Sequence, residues 1–145
     1  MRKNYLISIS GKQTLDGQEG VTELTTFGSY HKRGNNRYIT YNEYPEYSSQ
    51  SVKTTLKVED GNRVTLIRNQ SSSRLILEKG KRHQCFYDIG YGSLMLGVFA
   101  NRIDNKLTDQ GGQLSFRYTL DIDSSLTSLN EVQITVKEAE QSCQE

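Results

Sequence analysis

Two charged residues stand where the surrounding pattern is apolar. Val64, Leu66 and Arg68 alternate along one face of a segment, and Ile39, Tyr41 and Glu43 do the same along another. A charge turned into an apolar interior needs a partner, because burying an unpaired ion costs several kcal/mol. Three arrangements meet that need. Each residue can sit at a strand end and reach water, the two can pair with each other, or the pair can contact a ligand. A guanidinium in such a place suits a carboxylate or a phosphate, which it can grip with two parallel N–H donors.

The remaining chemistry is sparse. Tyr38, Tyr41, Tyr44 and Tyr47 recur every three residues, but Pro45 and the β-type neighbours argue against a helical stripe. They read as ordinary strand and loop aromatics, with stacking on bases as the functional counterpart. Two basic clusters, His31-Lys32-Arg33 with Arg37 and Lys79-Lys81-Arg82-His83, fall at turns or strand ends, where solvated charge is normal. His31 and His83 lack ligand spacing, and no zinc-type His and Cys set exists. His83 and Cys85 share a strand face, which would allow a thiolate–imidazole pair. Gly90-Tyr91-Gly92 precedes a strand, so it lacks the helix terminus of a phosphate cradle. No catalytic, cofactor or metal motif emerges.

These residues ride on a strict two-residue alternation. Leu114, Phe116, Tyr118, Leu120 and Ile122 alternate with polar residues, as do Val132, Ile134 and Val136, and Thr54, Leu56 and Val58. Period two marks strands with one dry face and one wet face. Strands are expected at residues 5–12, 21–32, 37–43, 51–59, 64–69, 74–78, 83–88, 93–103, 112–122 and 126–137. Turn residues separate them at Asp16-Gly17, Arg33-Gly34-Asn35-Asn36, Asp60-Gly61-Asn62, Ser71-Ser72-Ser73, Lys79-Gly80 and Asp121-Ile122-Asp123-Ser124-Ser125. Residues 44–50 form the longest expected loop, 104–111 a second polar connection, and 140–145 a frayed tail. A meander of this length has no helix to cover its dry face. Closing it on itself hides that face and removes the edges. The expected fold is all-β, an antiparallel meander closed into a small barrel of 8–10 strands, with a two-sheet sandwich as the alternative. Gly28, Gly92 and Gly97 are candidate corner positions, and Phe27, Phe99, Phe116, Leu96 and Leu120 candidate interior fillers.

Composition sets the outer bounds. The 145 residues suit one domain spanning 1–145, and a chain this long buries a core without disulfides or metal. Its net charge of +1 disfavours a dedicated nucleic-acid binder. Cys85 and Cys143 make no disulfide framework and read as free thiols. After a basic start, the apolar stretch of a signal peptide is broken by Ser8, Ser10 and Gly11. The longest apolar run, 94–100, is too short to span a bilayer. A cytoplasmic protein with no membrane partner, monomeric or homodimeric, is expected.

The order of several blocks adds to this. Arg37-Tyr38-Ile39-Thr40-Tyr41-Asn42-Glu43, Thr54-Thr55-Leu56-Lys57-Val58, Val64-Thr65-Leu66-Ile67-Arg68, Tyr87-Asp88-Ile89-Gly90-Tyr91-Gly92-Ser93-Leu94, the stretch around Phe116-Arg117-Tyr118, and residues 130–136 follow one another in a way that resembles the YwiB-like family. That is a bacterial domain of unknown function, and the resemblance covers about residues 5–137. It implies a calycin-type, lipocalin-like barrel. Its tyrosine, arginine and glycine positions correspond to Tyr41, Arg68, Tyr87, Gly92 and Tyr118. The chain departs from the family at Asn69-Gln70 and at Asp88-Ile89-Gly90, both at turns.

The expectation is therefore a non-enzymatic barrel without a cofactor, binding a small amphipathic or anionic ligand. Its candidate ligand contacts are Tyr41, Glu43, Arg68, Tyr87 and Tyr118. The alternatives are a protein- or RNA-interaction module using the outer surface and the 44–50 loop, and an enzyme built from barrel-mouth residues.

Overall fold

The structure, a computed structural model, describes residues 4–43, 51–59, 62–68, 73–88, 92–122 and 126–139. The expected 44–50 loop, the turns at 60–61, 69–72 and 123–125, and Cys143 with the tail lie outside the described residues. Ten strands follow in chain order: β1 (Tyr5–Leu15), β2 (Gln18–Arg33), β3 (Asn36–Glu43), β4 (Val52–Glu59), β5 (Arg63–Arg68), β6 (Ser73–Glu78), β7 (Arg82–Asp88), β8 (Ser93–Thr108), β9 (Gly111–Ile122) and β10 (Leu126–Glu138).

They form one antiparallel sheet in the order β6-β5-β4-β3-β2-β1-β10-β9-β8-β7. The two end strands, β6 and β7, are joined by a tight turn. There Glu78 pairs with Lys81, Lys79 bridges to Ala100, and the Gly80 amide donates to the Ala100 carbonyl at 2.8 Å. The sheet is thus a nearly closed barrel. Curling removes most of the free edge that a flat ten-stranded sheet would expose.

Alternation decides what lies inside. Ile7, Ile39, Leu56, Val58, Val64, Leu77, Val98, Leu114 and Ile134 are almost wholly buried. Each such side chain stabilises the fold by about 1.5–3 kcal/mol through removal from water. The same parity corrects two expectations. Tyr30, Val98 and Ala100 point inward, so Phe27 (64% exposed) and Phe99 do not join the core, while Phe116 and Leu96 fill it and Leu120 packs against it.

Gly28 makes a corner. β2 pairs with β1 through Gly28 and with β3 from Ser29 onward. A Cβ at this point would run into the Thr40 carbonyl oxygen and the Ile7 Cδ1 atom. At the β1–β2 turn, Asp16 and Gly17 take φ of 52° and 77°, the left-handed pair of a tight hairpin.

β8 runs five residues past the expected end at 103. Asp104, Asn105 and Lys106 look like a connection, yet they continue the β9 ladder as far as Thr108 opposite Gly111. A register shift between Ala100 and Arg102 bends the strand at that point. Ile103 and Leu107 remain on the core side. The hairpin tip then docks on the base of the barrel. The Tyr30 hydroxyl donates to the Thr108 carbonyl, and Arg37 donates to Asp109 at 3.0 Å. Among the described residues, no helix is long and apolar enough to cross a membrane.

Candidate functional site

Three of the five candidate residues come together. Pairing sets Tyr41 opposite Thr54 and Thr54 opposite Arg68, so these residues form one inward row across β3, β4 and β5. Glu43 lies two residues beyond Tyr41 on the same face, at the end of β3 opposite Val52. One Arg68 terminal nitrogen is 3.0 Å from Glu43 Oε1, and the Tyr41 hydroxyl donates to Glu43 Oε2 at 3.2 Å. The two charged side chains keep about a third (Arg68) and a quarter (Glu43) of their surface, so the cluster sits at an opening rather than in the deep core.

The environment of this row is half apolar. One step inward along the strands come Ile39, Leu56 and Leu66. Tyr41 itself is buried. Loss of water around the phenol pushes its pKa well above the usual range, and the negative charge of Glu43 adds to that, against an opposing pull from Arg68. At neutral pH the hydroxyl is therefore a fixed donor to Glu43.

Thr54 completes the row. Its side chain is fully buried, and Oγ1 has no hydrogen-bond partner among the described residues. Buried hydroxyls are nearly always satisfied by protein or water, so an orphan here marks a place where another polar group belongs. Sequence reading placed Thr54 on the dry face with Leu56 and Val58 but gave it no role, because threonine is common in strands.

Tyr118 stands elsewhere. It is on β9, opposite Asn130 and Ala100, with its ring 6.1 Å from that of Phe116. β9 and β10 occupy the side of the ring opposite β4 and β5. Beside it, the Asn130 side-chain amide donates to Ser128 Oγ at 3.1 Å, and both residues are buried. This polar pair also went unread, although it continues the inward parity of Val132 and Ile134. Tyr87 pairs through its backbone with Leu94. Its side chain lies outside the described residues.

Two members of the second basic cluster, Arg82 and His83, are tied to carboxylates. Arg82 meets Asp121 at 2.8 Å, His83 Nε2 lies 2.9 Å from Glu78 Oε1, and Arg63 reaches the same carboxylate oxygen at 3.3 Å. The hydrogen bond with His83, helped by Arg63, holds the Glu78 carboxyl below its ordinary range. Cys85 is a free, buried thiol packed in the core, and the described His83 contact is with Glu78. Among the described residues, no group of three or more His, Cys, Asp or Glu could hold a metal ion.

Comparison with known proteins agrees with this architecture. The model of a family described as "Domain of unknown function (DUF1934)" matches residues 7–134. The chain is 26% identical over 137 residues to the uncharacterized beta-barrel protein YwiB of Bacillus subtilis (strain 168), covering 93% of this chain and 95% of that protein. A crystal structure of the ywiB protein from Bacillus subtilis superposes with a TM-score of 0.84 at 23% identity, over 96% of this chain and 94% of that one. That likeness establishes the fold.

Proposed function

We propose that this chain, which belongs to the Domain of unknown function (DUF1934) family, is a non-enzymatic, lipocalin-like binding barrel. Its ligand is small and amphipathic, with a polar or anionic end seated at Tyr41, Thr54, Glu43 and Arg68. The observation that carries this reading is the orphan Thr54 hydroxyl, buried between a tyrosine and an arginine and one step from the apolar row of Ile39, Leu56 and Leu66. A ligand oxygen there would satisfy the hydroxyl and could share the Arg68 guanidinium with Glu43. The apolar part of the ligand would lie toward Ile39 and Leu56.

The outer wall supports work in water. Lys12, Glu131, Arg117 and Arg102 form one charged row across β1, β10, β9 and β8. A lipid-facing barrel carries an apolar band there instead. A cytoplasmic setting fits the free thiol of Cys85.

Native mass spectrometry of freshly purified protein tests the reading. The expected result is an added mass that is lost on activation and is absent from Arg68→Met and Thr54→Val variants. An adduct retained in full by both variants would place the ligand elsewhere and overturn the assignment.

A further inference from the structure

A second concave surface lies on the outside of the barrel, at the Gly28 corner. It is a groove of about 880 Å³, within the size range of small-molecule sites. Strand parity makes its outward lining Phe27, Ser29, His31, Thr40, Asn42 and Lys53. None of these outward residues belongs to the interior row of the proposed ligand site, although Tyr41 of that row also borders the groove.

The chemistry of this lining is selective. Phe27 keeps 64% of its surface, an exposure similar to that of Phe86 and Val21, and presents its ring to the groove. Alternation along β2 turns it outward, opposite in sense to the buried Tyr30. Asn42 and Lys53 face each other across β3 and β4, and Ser29 faces Thr40 across β2 and β3. The His31 ring stacks on Tyr38 at 5.1 Å, which fixes its plane at the other side of the groove. Among the described lining residues there is no carboxylate. Lys53 makes no ion pair among the described residues, as is true of most of the described lysines.

An open aromatic face, an uncommitted ammonium, two hydroxyls and an amide form a complementary set for one kind of molecule. We infer that this groove is a second binding site, for a small organic anion bearing a flat aromatic ring. The ring would lie against Phe27, and the anionic group would meet Lys53 and the Asn42 amide.

Fluorescence titration with anilinonaphthalene sulfonate, an aromatic sulfonate, tests this on the full chain. One saturable site is expected. Phe27→Ser and Lys53→Glu should each weaken it about tenfold, the scale of losing one aromatic stack or one desolvated cation contact. Phe86→Ser, which removes the other strongly exposed phenylalanine, should leave it unchanged, as should Thr54→Val in the interior. Circular dichroism melts confirm that each variant is folded. No saturable binding, or binding indifferent to Phe27→Ser and Lys53→Glu, overturns the inference. Binding lost on Thr54→Val would instead place the probe in the barrel interior, overturning the groove while leaving the interior site standing.

Discussion

Glu43 and Arg68 pair at 3.0 Å although their strands are not neighbours. β4 runs between β3 and β5, so the ion pair reaches over it inside the barrel. Thr54 is the β4 residue aligned with Arg68, and the span above helps to bury it. One contact therefore ties three strands and shapes the floor of the proposed site.

This pair is part-exposed, so its coupling should fall between a surface and a buried bridge. A double-mutant cycle with Glu43→Gln and Arg68→Met, read by urea denaturation, should give about 1–2 kcal/mol of interaction energy. Strict additivity would show that the two side chains do not depend on each other in solution.

Thr54→Val tests the orphan hydroxyl directly. Removing a buried oxygen that has no partner should raise the stability of the ligand-free protein by about 0.5–1 kcal/mol, since the methyl that replaces it is nearly isosteric. A loss of stability would mean that Oγ1 is satisfied in the folded state.

Tyr41 predicts an alkaline response. Its folded pKa is raised above the unfolded value of 10.0, so its stabilising effect is complete below that pH. The effect is lost as pH rises from there toward the folded pKa. Tyr41→Phe should flatten this alkaline decline, followed by circular dichroism against pH. Tyr30, raised mainly by burial, should likewise titrate later than exposed tyrosines in near-ultraviolet absorbance.

Glu78 predicts the opposite limb. Its folded pKa lies below the model-compound value of 4.5, so the stability it contributes is present above that pH and is lost as pH falls through the folded value. Glu78→Gln should remove part of the acid-side slope of the urea midpoint. An unchanged slope would argue that the contact with His83 is absent in solution.

Two glycines separate rigid from flexible crowding. Gly28→Ala forces a methyl onto the Thr40 backbone and should cost about 1–3 kcal/mol of stability. Gly97→Ala meets chiefly the tip of Arg82 where it crosses to Asp121, and a side chain can swing away. Thermal melts should rank Gly28→Ala as the more damaging.

Most of the frame was legible because one-sided burial writes itself as period two. The strands from Asn36 to Arg68 show this best, with Ile39, Leu56 and Val64 all on the expected face. What the pattern could not carry was information between strands. Asp104 to Lys106 read as a loop because three consecutive polar residues break the alternation, although their ladder partners, Ser115 to Gln113, follow within the same hairpin. The pairing of Glu43 with Arg68 was one arrangement among three, since only the register across β4 brings the two together. Arg37 with Asp109 had no local signal at all.

The pairing of β1 with β10 sets Tyr5 against Glu138, so almost the whole length of the chain lies between them. Each hairpin of the meander can form from local contacts, but the seam that unites the halves needs strands from both ends of the polypeptide. Joining distant segments is slow, because loop-closure entropy must be overcome first. On the ribosome, β1 would wait with one edge unpaired until β10 emerged. Its alternating Leu6, Ile7, Ser8, Ile9 and Ser10 would be open to wrong partners for that interval. Synthesis, rather than the finished fold, is the stage at which this barrel is most vulnerable to aggregation.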